Sequence, residues 1–427
     1  MFFQKEIETM KRADIEALQL ERLRRMVDYC YENVPFYHAR LSQAGITSGN
    51  KIKALSDLQY IPFTTKEDIR DNYPFGLLAK PMKDIVRIHA SSGTTGKPTV
   101  GVYTKQDIDN WSDYVARIVT AAGVTQEDII QISFGYGLFT GALGLHFGLE
   151  KAGATVIPAS SGNSEKQLMM LRDFGVTGLV ATPSYALYLG ELVQESGYPK
   201  EAYAKLRHGI LGSEGCTEQM RGRIEETLGI RVTDNYGMTE LTGPGVSGEC
   251  EYRCGLHFAE DAFLPEIIDQ AGELVVTTLT REGMPVLRYR TKDITRLNYE
   301  PCRCGRTHVR MDKVMGRTDD MLIIKGVNVF PSQIESVLVA TENVGPHYQL
   351  VVRKKNFMDN LEVKVELVDG SLLESFGELE SLQRKIHDRL KSVLGLETRV
   401  TLVEPKSLER FQGKAKRVLD LRNQPEE

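Results

Sequence analysis

Short apolar runs alternate with helical stretches between residues 128 and 213, and this alternation constrains the fold more than any other feature of the chain. Four runs predict buried strands, namely DIIQISF (128–134), TVIPAS (155–160), GLVATPS (178–184) and HGILGS (208–213). Between them lie two predicted helices, LGLHFGLEKAG (143–153) and EKQLMMLRDFG (165–175), each ending at a glycine suited to a left-handed C-cap. Strand–helix–strand alternation predicts an α/β fold with a largely parallel sheet.

The chain is too long for one hydrophobic core, and its last hundred residues follow a different pattern. At 427 residues it is expected to form two or more domains. The tail predicts a strand at 361–368, a helix over 378–395 and a strand at 398–405, which together indicate a small α+β domain. The expected buried stripe of that helix is Leu379, Leu382, Ile386, Leu390 and Val393. The apolar pattern is interrupted at Gly316, so we place a large domain at 1–316 and a small one at 317–427.

Composition narrows the class of protein. Apolar residues make up 41% of the chain and charged residues 26%, as in ordinary globular proteins, and the net charge of -5 argues against nucleic acid as the main partner. The chain starts with a charged amphipathic helix over 14–30 rather than with the apolar core of a signal peptide. No apolar run is long enough to cross a bilayer. We therefore expect a cytoplasmic protein with no membrane partner, and this interpretation allows a homodimer.

SSGTTGKPT (91–99) is a polar, glycine-rich loop that invites comparison with the Walker loop of P-loop NTPases. The Walker pattern needs four residues between its first glycine and the Gly-Lys-Ser/Thr, but only two threonines separate the glycines of GTTG (93–96). Pro98 also disfavours a helix that begins at Lys97. The segment is therefore not a Walker loop, and alone it also fits an ordinary polar turn before a strand.

Four further motifs follow in order along the chain: DNYGMTE (234–240), GELVVTTLTREGMPVLRYRTKD (272–293), GRTDDMLIIKGVNVFPSQIE (316–335) and FQGKAKRVLD (411–420). With loop 91–99, this set resembles the acyl-adenylate-forming superfamily of acyl-CoA synthetases, adenylation domains and luciferases. FGYGLFTGALGLH (134–146), YGMTE, IIKGVNVFP and GKAKRV are most similar to one branch, the phenylacetate–coenzyme A ligases. One such motif is weak, but five in the right order are specific. The resemblance implies a large ATP- and acid-binding domain followed by a small mobile domain.

The resemblance also implies which residues bind the nucleotide. It places loop 91–99 over the β- and γ-phosphates of ATP, to which the loop offers hydroxyl donors, close backbone approach and a cation, and GSEG (212–215) beside adenine. YGMTE would line the nucleotide and the acyl carboxylate, and Glu240 would be the catalytic carboxylate that holds the Mg²⁺ of MgATP; alone, the motif also fits a turn with a solvated glutamate. The nucleotide-binding residues implied are Ser91, Ser92, Gly93, Thr94, Thr95, Gly96, Lys97, Ser213, Glu214, Asn235, Tyr236, Gly237, Met238, Thr239, Asp293 and Arg317.

Further roles follow near the domain boundary and in the tail. By the resemblance, Asp293 would accept hydrogen bonds from the ribose hydroxyls, although Lys292 stands where the family usually has glycine. Arg317 would lie near the nucleotide and Asp319 would be the hinge, while a solvated charged linker fits both residue types equally well. Lys414 would enter the site during adenylation as the second catalytic residue and offset the negative charge that develops at the α-phosphate.

The segment FGYGLFTGALG (134–144) is the candidate acid pocket. Phe134, Tyr136 and Phe139 offer aromatic surface, and glycines such as Gly141 leave room beside it. Aromatic residues at this spacing also fit an ordinary core. In the phenylacetate ligases the corresponding region helps to form the aryl pocket, so we expect the acid to bind here.

Grouped cysteines form the last candidate site. Cys250-x3-Cys254-x2-His257 is followed 45 residues later by Cys302-x-Cys304. Tetrahedral zinc takes four sulfur or nitrogen ligands, usually as two short pairs, and without an export signal such groups favour metal over disulfides. We expect a structural Zn²⁺ held by Cys250, His257, Cys302 and Cys304, with Cys254 as the substitute ligand. The alternative is a set of reduced thiols beside turns.

These interpretations predict an ATP-dependent aryl-acid–coenzyme A ligase. As the resemblance implies, its small-molecule partners would be ATP with Mg²⁺, coenzyme A as co-substrate, and phenylacetate or a close analogue, and it would release AMP and pyrophosphate. Two alternatives stay open. An adenylation enzyme would pass the acyl group to a carrier-protein thiol, and a zinc-stabilised regulator would bind nucleotide without turnover.

Overall fold

The structure of the chain, a computed structural model, describes residues 1–91, 98–318, 321–325, 327–355, 358–410 and 417–422. Its α-helices are α1 (Lys5–Glu8), α2 (Arg12–Asn33), α3 (Pro35–Gln43), α4 (Lys66–Asp71), α5 (Lys105–Ala121), α6 (Thr140–Lys151), α7 (Ser164–Asp173), α8 (Pro183–Glu195), α9 (Glu218–Leu228), α10 (Pro331–Val339) and α11 (Phe376–Leu394). Short 3-10 helices lie at Gly49–Lys51, Leu55–Tyr60, Met82–Asp84, Lys200–Tyr203 and Gly370–Glu374. Among the described residues, no helix combines the length and the apolar character needed to span a membrane.

Within the described residues, the strands form five sheets. They are β1 (Ile85–Ala90), β2 (Val100–Thr104), β3 (Ile129–Ile132), β4 (Thr155–Ile157), β5 (Gly178–Ala181), β6 (His208–Gly212), β7 (Arg231–Met238), β8 (Gly243–Glu249), β9 (Leu256–Phe258), β10 (Phe263–Ile268), β11 (Glu273–Thr278), β12 (Tyr289–Ile294), β13 (Leu297–Asn298), β14 (Arg310–Met311), β15 (Gly316–Arg317), β16 (Leu322–Ile324), β17 (Val327–Val329), β18 (Val344–Lys355), β19 (Met358–Leu367), β20 (Arg399–Val403) and β21 (Val418–Asp420).

A nine-stranded mixed sheet forms the centre of the large part, in the order β13-β14-β9-β8-β7-β6-β5-β3-β4. Strands β7, β6, β5, β3 and β4 run parallel, and β8, β9, β14 and β13 add an antiparallel edge. The four predicted strands correspond to β3–β6, and the predicted glycines end α6 and α7 with left-handed φ angles of +93° at Gly153 and +63° at Gly175. The prediction of an α/β fold with a parallel sheet is confirmed.

Helices cover both faces of this sheet because its strands are apolar on both sides. In β5, Leu179 packs with α7–α9 while the next residue, Val180, packs with α5 and α6. Successive residues of a strand point to opposite faces, and Leu211 and Ile210 of β6 divide in the same way. A continuous apolar run therefore marks a strand buried on both faces, as parallel sheets require.

A second sheet, β10-β11-β12-β15, packs against the N-terminal helices. Its core includes Leu23 and Val27 of α2 and Tyr37 of α3, together with Phe263 and Leu274 of the sheet. This packing fixes β12 and β15, which carry two of the predicted nucleotide-binding residues.

The tail has its own sheet, β20-β19-β18-β21, with α10 and α11 in the same core. On α11, Ile386 and Leu390 are buried as predicted, but Val393 is 47% exposed and was wrongly placed on the stripe. Leu394 is buried instead, because it lies four residues after Leu390 and so continues that face of the helix. Strand β15 still pairs with β12, so the boundary placed between 316 and 317 falls within a strand and stays a prediction.

Candidate active site

The candidate site lies at the carboxyl ends of the parallel strands. Strand β4 lies on one side of β3 and β5 on the other, so the direction of winding reverses between β3 and β5. Such a switch point leaves a crevice outside the strand ends where ligands bind. The predicted acid-pocket segment leaves β3 at this crevice, and GSEG leaves β6, which is the next strand beyond β5.

The predicted phosphate loop connects the antiparallel strands β1 and β2. Its two ends are joined by the Ser91 amide, which donates to the Thr99 carbonyl, and by the Thr99 amide, which donates to the Ser91 hydroxyl, each at 2.9 Å. A Walker loop instead joins a strand to a helix. The other predicted residues of this loop, Ser92, Gly93, Thr94, Thr95, Gly96 and Lys97, lie outside the described residues.

Three of the predicted motifs meet beside this hairpin. The Ala90 amide donates to the Leu138 carbonyl at 2.8 Å, which ties β1 to the acid-pocket segment. A side chain at Gly101 of β2 would lie 3.1 Å from the Thr239 carbonyl, so the hairpin runs directly against YGMTE. The hydroxyls of Thr239 and Thr140 are 3.5 Å apart, which brings YGMTE to the start of α6.

The YGMTE motif begins in β7 and ends in a turn that leads to β8. At Gly237 any side chain would overlap the Gly243 carbonyl across this pair of strands, so glycine is required there. Asn235 is buried, and its side-chain oxygen accepts from the Gly245 amide at 3.1 Å, which holds the same strand pair together. Met238, the last residue of β7, is half-buried.

A buried arginine that the sequence analysis did not single out fixes the turn bearing Glu240. Arg281 donates to the carbonyls of all three turn residues 239–241, at 2.8 Å for Glu240. Burial raises the pKa of Tyr289, and the Glu240 carboxylate beside it raises that pKa further. The only sequence signal for Arg281 was its place in the motif at 272–293.

Asp293 brings together residues from three motifs. Its carboxylate accepts from the Tyr236 hydroxyl at 2.7 Å and from the Arg317 guanidinium at 2.9 Å, and it is 3% exposed. Burial, followed by the charge of Asp293, holds the pKa of Tyr236 well above its usual value, so this hydroxyl stays protonated. Lys292 has a left-handed φ of +68°, which glycine adopts most easily and which accounts for the glycine usual in this position of the family.

GSEG lies beside the same strand. Gly212 of β6 pairs with Asn235 of β7, so the two motifs are neighbours at the sheet edge. Ser213 is exposed with a φ of +69°, and the Glu214 carboxylate accepts from the Ser184 hydroxyl at 2.7 Å. Both residues directly follow the carboxyl end of β6.

The acid-pocket segment contributes both buried and exposed rings. Phe134 is 5% exposed and Phe139 is 39% exposed, with their rings edge-to-face at 6.1 Å between centroids. A side chain at Gly141 would overlap the Phe139 ring, so this glycine makes room for that ring. The Tyr136 hydroxyl lies 3.0 Å from His146 Nδ1. Burial raises the pKa of Tyr136.

Two predicted residues, Asp319 and Lys414, lie outside the described residues. After Lys414, the described residues begin again at Arg417, whose guanidinium donates to the Glu335 carboxylate of α10 at 2.6 Å. The Tyr348 hydroxyl donates to the same carboxylate at 2.8 Å. The C-terminal end of the GKAKR motif is therefore fixed to the small domain.

The four predicted zinc ligands come together at the antiparallel edge of the large sheet. One ligand atom from each of Cys250, His257, Cys302 and Cys304 lies within 4.8 Å of the others. Cys250 Sγ is 3.8 Å from Cys302 Sγ, and Cys304 Sγ is 3.5 Å from His257 Nε2. Cys254, the predicted substitute, is exposed with its sulfur 3.4 Å from that of Cys302.

The cluster joins strands to the loop between β13 and β14. Cys250 follows β8 and His257 lies in β9, while Cys302 and Cys304 come from that loop. Contact with the Cys250 thiol, and then with His257, holds the pKa of Cys304 well below its usual range. Burial raises the pKa of Cys302 to about 11. The cluster is separate from the residues around Asp293 and Glu240.

The chain matches family models along most of its length. The AMP-binding enzyme model covers residues 20–276, and the AMP-binding enzyme C-terminal domain model covers residues 326–422. A phenylacetate–coenzyme A ligase from Thermus thermophilus is 47% identical over 446 residues, covering 99% of this chain and 100% of that protein. A phenylacetate–coenzyme A ligase from Escherichia coli is 47% identical over 428 residues, covering 98% of this chain and 97% of that protein.

A solved structure agrees with these sequence matches. The crystal structure of 2-hydroxyisobutyryl-CoA ligase in the postadenylation state with 2-HIB-AMP superposes with a TM-score of 0.91 at 28% identity, covering 98% of this chain and 92% of that chain. The same ligase with 2-HIB-AMP and CoA in the thioesterification state gives a TM-score of 0.72 at the same identity and coverage. The resemblance inferred from five motifs is confirmed: the chain belongs to the phenylacetate–coenzyme A ligase family of AMP-binding enzymes, which are AMP-forming acid–coenzyme A ligases.

Proposed function

We propose that the acid this ligase activates is phenylacetate or a closely related aryl acid. The observation that carries the proposal is the 47% identity, over nearly the whole chain, with ligases named for phenylacetate. The aromatic segment at the switch point supports it, because Tyr136 and Phe139 lie where a crevice between β3 and β5 is expected. Aromatic rings favour edge-to-face or offset packing with a further ring.

In the first half-reaction, a carboxylate oxygen of the acid attacks the α-phosphorus of ATP, and pyrophosphate leaves with the electrons of the broken P–O bond. Lys414 would offset the charge that grows at the α-phosphate. Glu240, on the turn fixed by Arg281, would hold Mg²⁺, which neutralises phosphate charge when it is bound. Asp293 would accept from the ribose hydroxyls while Tyr236 orients it.

In the second half-reaction, the sulfur of coenzyme A attacks the acyl carbon, and AMP leaves with the electrons of the former acyl–oxygen bond. We infer that the arrangement of the small domain in this structure is the one used in the first half-reaction. The support is the TM-score of 0.91 with the postadenylation state of 2-hydroxyisobutyryl-CoA ligase, against 0.72 with its thioesterification state. The domain would then turn about Asp319 between the steps, as a gate that admits the thiol.

Pyrophosphate release across a panel of aryl and alkyl carboxylic acids tests this proposal. We expect phenylacetate and close analogues to give the highest kcat/KM, with AMP and the coenzyme A thioester formed in equal amounts. Preference for an alkyl acid would refute the choice of substrate. If the acyl-adenylate reacts with a carrier-protein thiol but not with free coenzyme A, the carrier alternative is correct. A nucleotide-binding regulator would release no pyrophosphate with any acid.

We also propose that the cluster of Cys250, His257, Cys302 and Cys304 binds one structural Zn²⁺. Three sulfurs and one imidazole nitrogen suit this ion, and a tetrahedral site with Zn–S bonds of about 2.3 Å separates two sulfurs by about 3.8 Å. The distance between the Cys250 and Cys302 sulfurs is 3.8 Å. The ligands join β8, β9 and the β13–β14 loop, so the ion would hold the sheet edge together.

Metal analysis of protein purified without added metal tests this second proposal. We expect about one zinc per chain, and a lower thermal stability after treatment with a strong chelator or in Cys302→Ser. Cys30→Ser is a matched control for zinc content, because Cys30 is also a buried thiol but lies outside the cluster, and this variant should keep about one zinc per chain. A zinc content near zero in stable, active protein would refute the site.

A further inference from the structure

Two glutamates at the end of α8 face the small domain. Glu191 and Glu195 are one helical turn apart and lie near the C-terminal end of the helix, whose last turn has no basic residue. The C-terminal end of a helix carries a partial negative charge and is stabilised by cations. The negative charge at the C-terminal end of α8 therefore has to be balanced by groups outside this helix.

The small domain supplies the partners of both carboxylates, a histidine and a lysine. His347 Nε2 of β18 lies 3.2 and 3.1 Å from the two carboxylate oxygens of Glu191. Lys406 Nζ lies 2.9 Å from the Glu195 carboxylate. The Glu191–His347 pair is the more enclosed one, with side chains 23% and 16% exposed, whereas those of Glu195 and Lys406 are 49% and 69% exposed.

A buried carboxylate holds Lys406 in position. Glu366 is 2% exposed and accepts from the backbone amides of Lys406 at 3.1 Å and Leu408 at 2.7 Å. It also pairs with both terminal nitrogens of Arg410, at 2.8 and 2.7 Å. Lys406 itself has a left-handed φ of +63°. Glu366 thus fixes the segment 406–410 to the small domain. This segment directly precedes residues 411–416, which include Lys414.

We propose that Glu191 and Glu195 form the docking face that holds the small domain in its present arrangement, and so are positioning residues for acyl-adenylate formation. This inference rests on the domain arrangement inferred under the proposed function. A rigid turn of the small domain carries His347 and Lys406 away from α8, so both contacts break on the way to the second half-reaction. The pairs therefore favour the first arrangement over the second.

Ion pairs and charge-assisted hydrogen bonds between side chains that keep contact with water are individually weak, which suits contacts that must break in every catalytic cycle. Two pairs of this kind shift the equilibrium between the arrangements by about three- to tenfold. A face of this strength biases the arrangement without trapping it. Because such pairs are screened by salt, the bias should also weaken at high ionic strength.

The test measures the two half-reactions separately in the full-length protein. In the double variant Glu191→Gln with Glu195→Gln, we expect single-turnover pyrophosphate release with ATP and phenylacetate to slow about three- to tenfold. Thioester formation from supplied phenylacetyl-adenylate and coenzyme A should be unchanged or faster. Glu226→Gln, an exposed glutamate of the neighbouring helix α9, should match wild type in both reactions.

A charge exchange separates docking from a general loss of stability. Glu195→Lys and Lys406→Glu should each slow pyrophosphate release, and the two changes together should restore it to within about twofold of wild type, because the pair is re-formed with reversed charges. The proposal is refuted if the exchange does not restore the rate, or if both half-reactions change equally. If wild type forms no thioester from any aryl acid, the proposed function fails instead.

Discussion

Removal of the Tyr236 hydroxyl tests how the nucleotide site is built. This hydroxyl donates to Asp293 at 2.7 Å, and Asp293 is 3% exposed. The pKa of Tyr236 is held well above its usual value by burial and by the charge of Asp293, so the hydroxyl is a donor at every working pH. Tyr236→Phe removes the donor and leaves the ring in place.

The expected cost follows from the type of hydrogen bond. A hydrogen bond to a charged group contributes about 1.5–3 kcal/mol. Arg317 still contacts the other carboxylate oxygen at 2.9 Å in the variant, so we expect the lower part of that range, about 1.5–2 kcal/mol. A loss of this size in nucleotide binding corresponds to a KM for ATP about 10- to 30-fold higher. Asp293 is assigned to the ribose, whereas the predicted acid pocket lies in residues 134–144, so the KM for the acid should rise less than the KM for ATP.

Steady-state kinetics with ATP and phenylacetate varied in turn, together with thermal unfolding, make the measurement. Tyr60→Phe is the control, because Tyr60 is 64% exposed. A lower unfolding temperature with an unchanged KM for ATP would show that the hydroxyl only stabilises the fold. Equal rises in KM for ATP and for the acid would show that Asp293 does not act on the ribose. Either result refutes the assignment of Asp293.

Three further predictions concern other parts of the chain. Lys414→Ala should slow acyl-adenylate formation by about a hundredfold or more, while thioester formation from supplied acyl-adenylate stays nearly intact; equal loss in both steps would contradict its role. Tyr136→Ala or Phe139→Ala should shift acid preference towards bulkier acids at an unchanged KM for ATP, and an unchanged ranking of acids would place the pocket elsewhere. Burial, followed by the charge of Glu249, raises the pKa of Asp234 from 3.8 to about 6. The folded state therefore favours the protonated carboxyl group. The stability that Asp234 contributes is fully present below pH 4 and is lost as the pH rises through 6. Asp234→Asn should therefore raise the free energy of unfolding at pH 8 by about 2–3 kcal/mol, with little gain at pH 4, and denaturant unfolding at the two pH values checks this.

The parts of the fold that could be predicted are those encoded in local patterns. Strands β3–β6 follow from apolar runs bounded by turn residues, and the C-caps at Gly153 and Gly175 follow from glycine positions. The error at Val393 has the same origin, because Val393 and Leu394 are both apolar and only packing decides which one is buried. Periodicity alone does not fix the rotation of a helix to within one residue.

The sequence named candidate residues, whose roles stay predictions, but it did not predict how they are arranged. The family resemblance named Tyr236, Asp293 and Arg317, and the structure joins them through one carboxylate. The sequence did not indicate the role of Arg281, because an arginine that donates to backbone carbonyls far along the chain leaves no periodic pattern. The acidic end of α8 was not predicted either. Glu191 and Glu195 have the pattern of an ordinary solvated helix end, and their partners in the small domain lie far along the chain.

The contacts of β15 determine where along the chain the hinge between the large and the small domain can lie. Asp293 pairs with Arg317 between β12 and β15, and their side chains also meet at 2.9 Å. One residue further, the Thr318 amide donates to the Lys292 carbonyl at 2.8 Å. The linker is therefore fixed to β12 as far as Thr318, and a turn of the small domain that preserves these bonds has to take place after it. Asp319, the predicted hinge, is the first residue beyond the last of these contacts, and the carboxylate proposed to hold the ribose anchors the segment that leads to it.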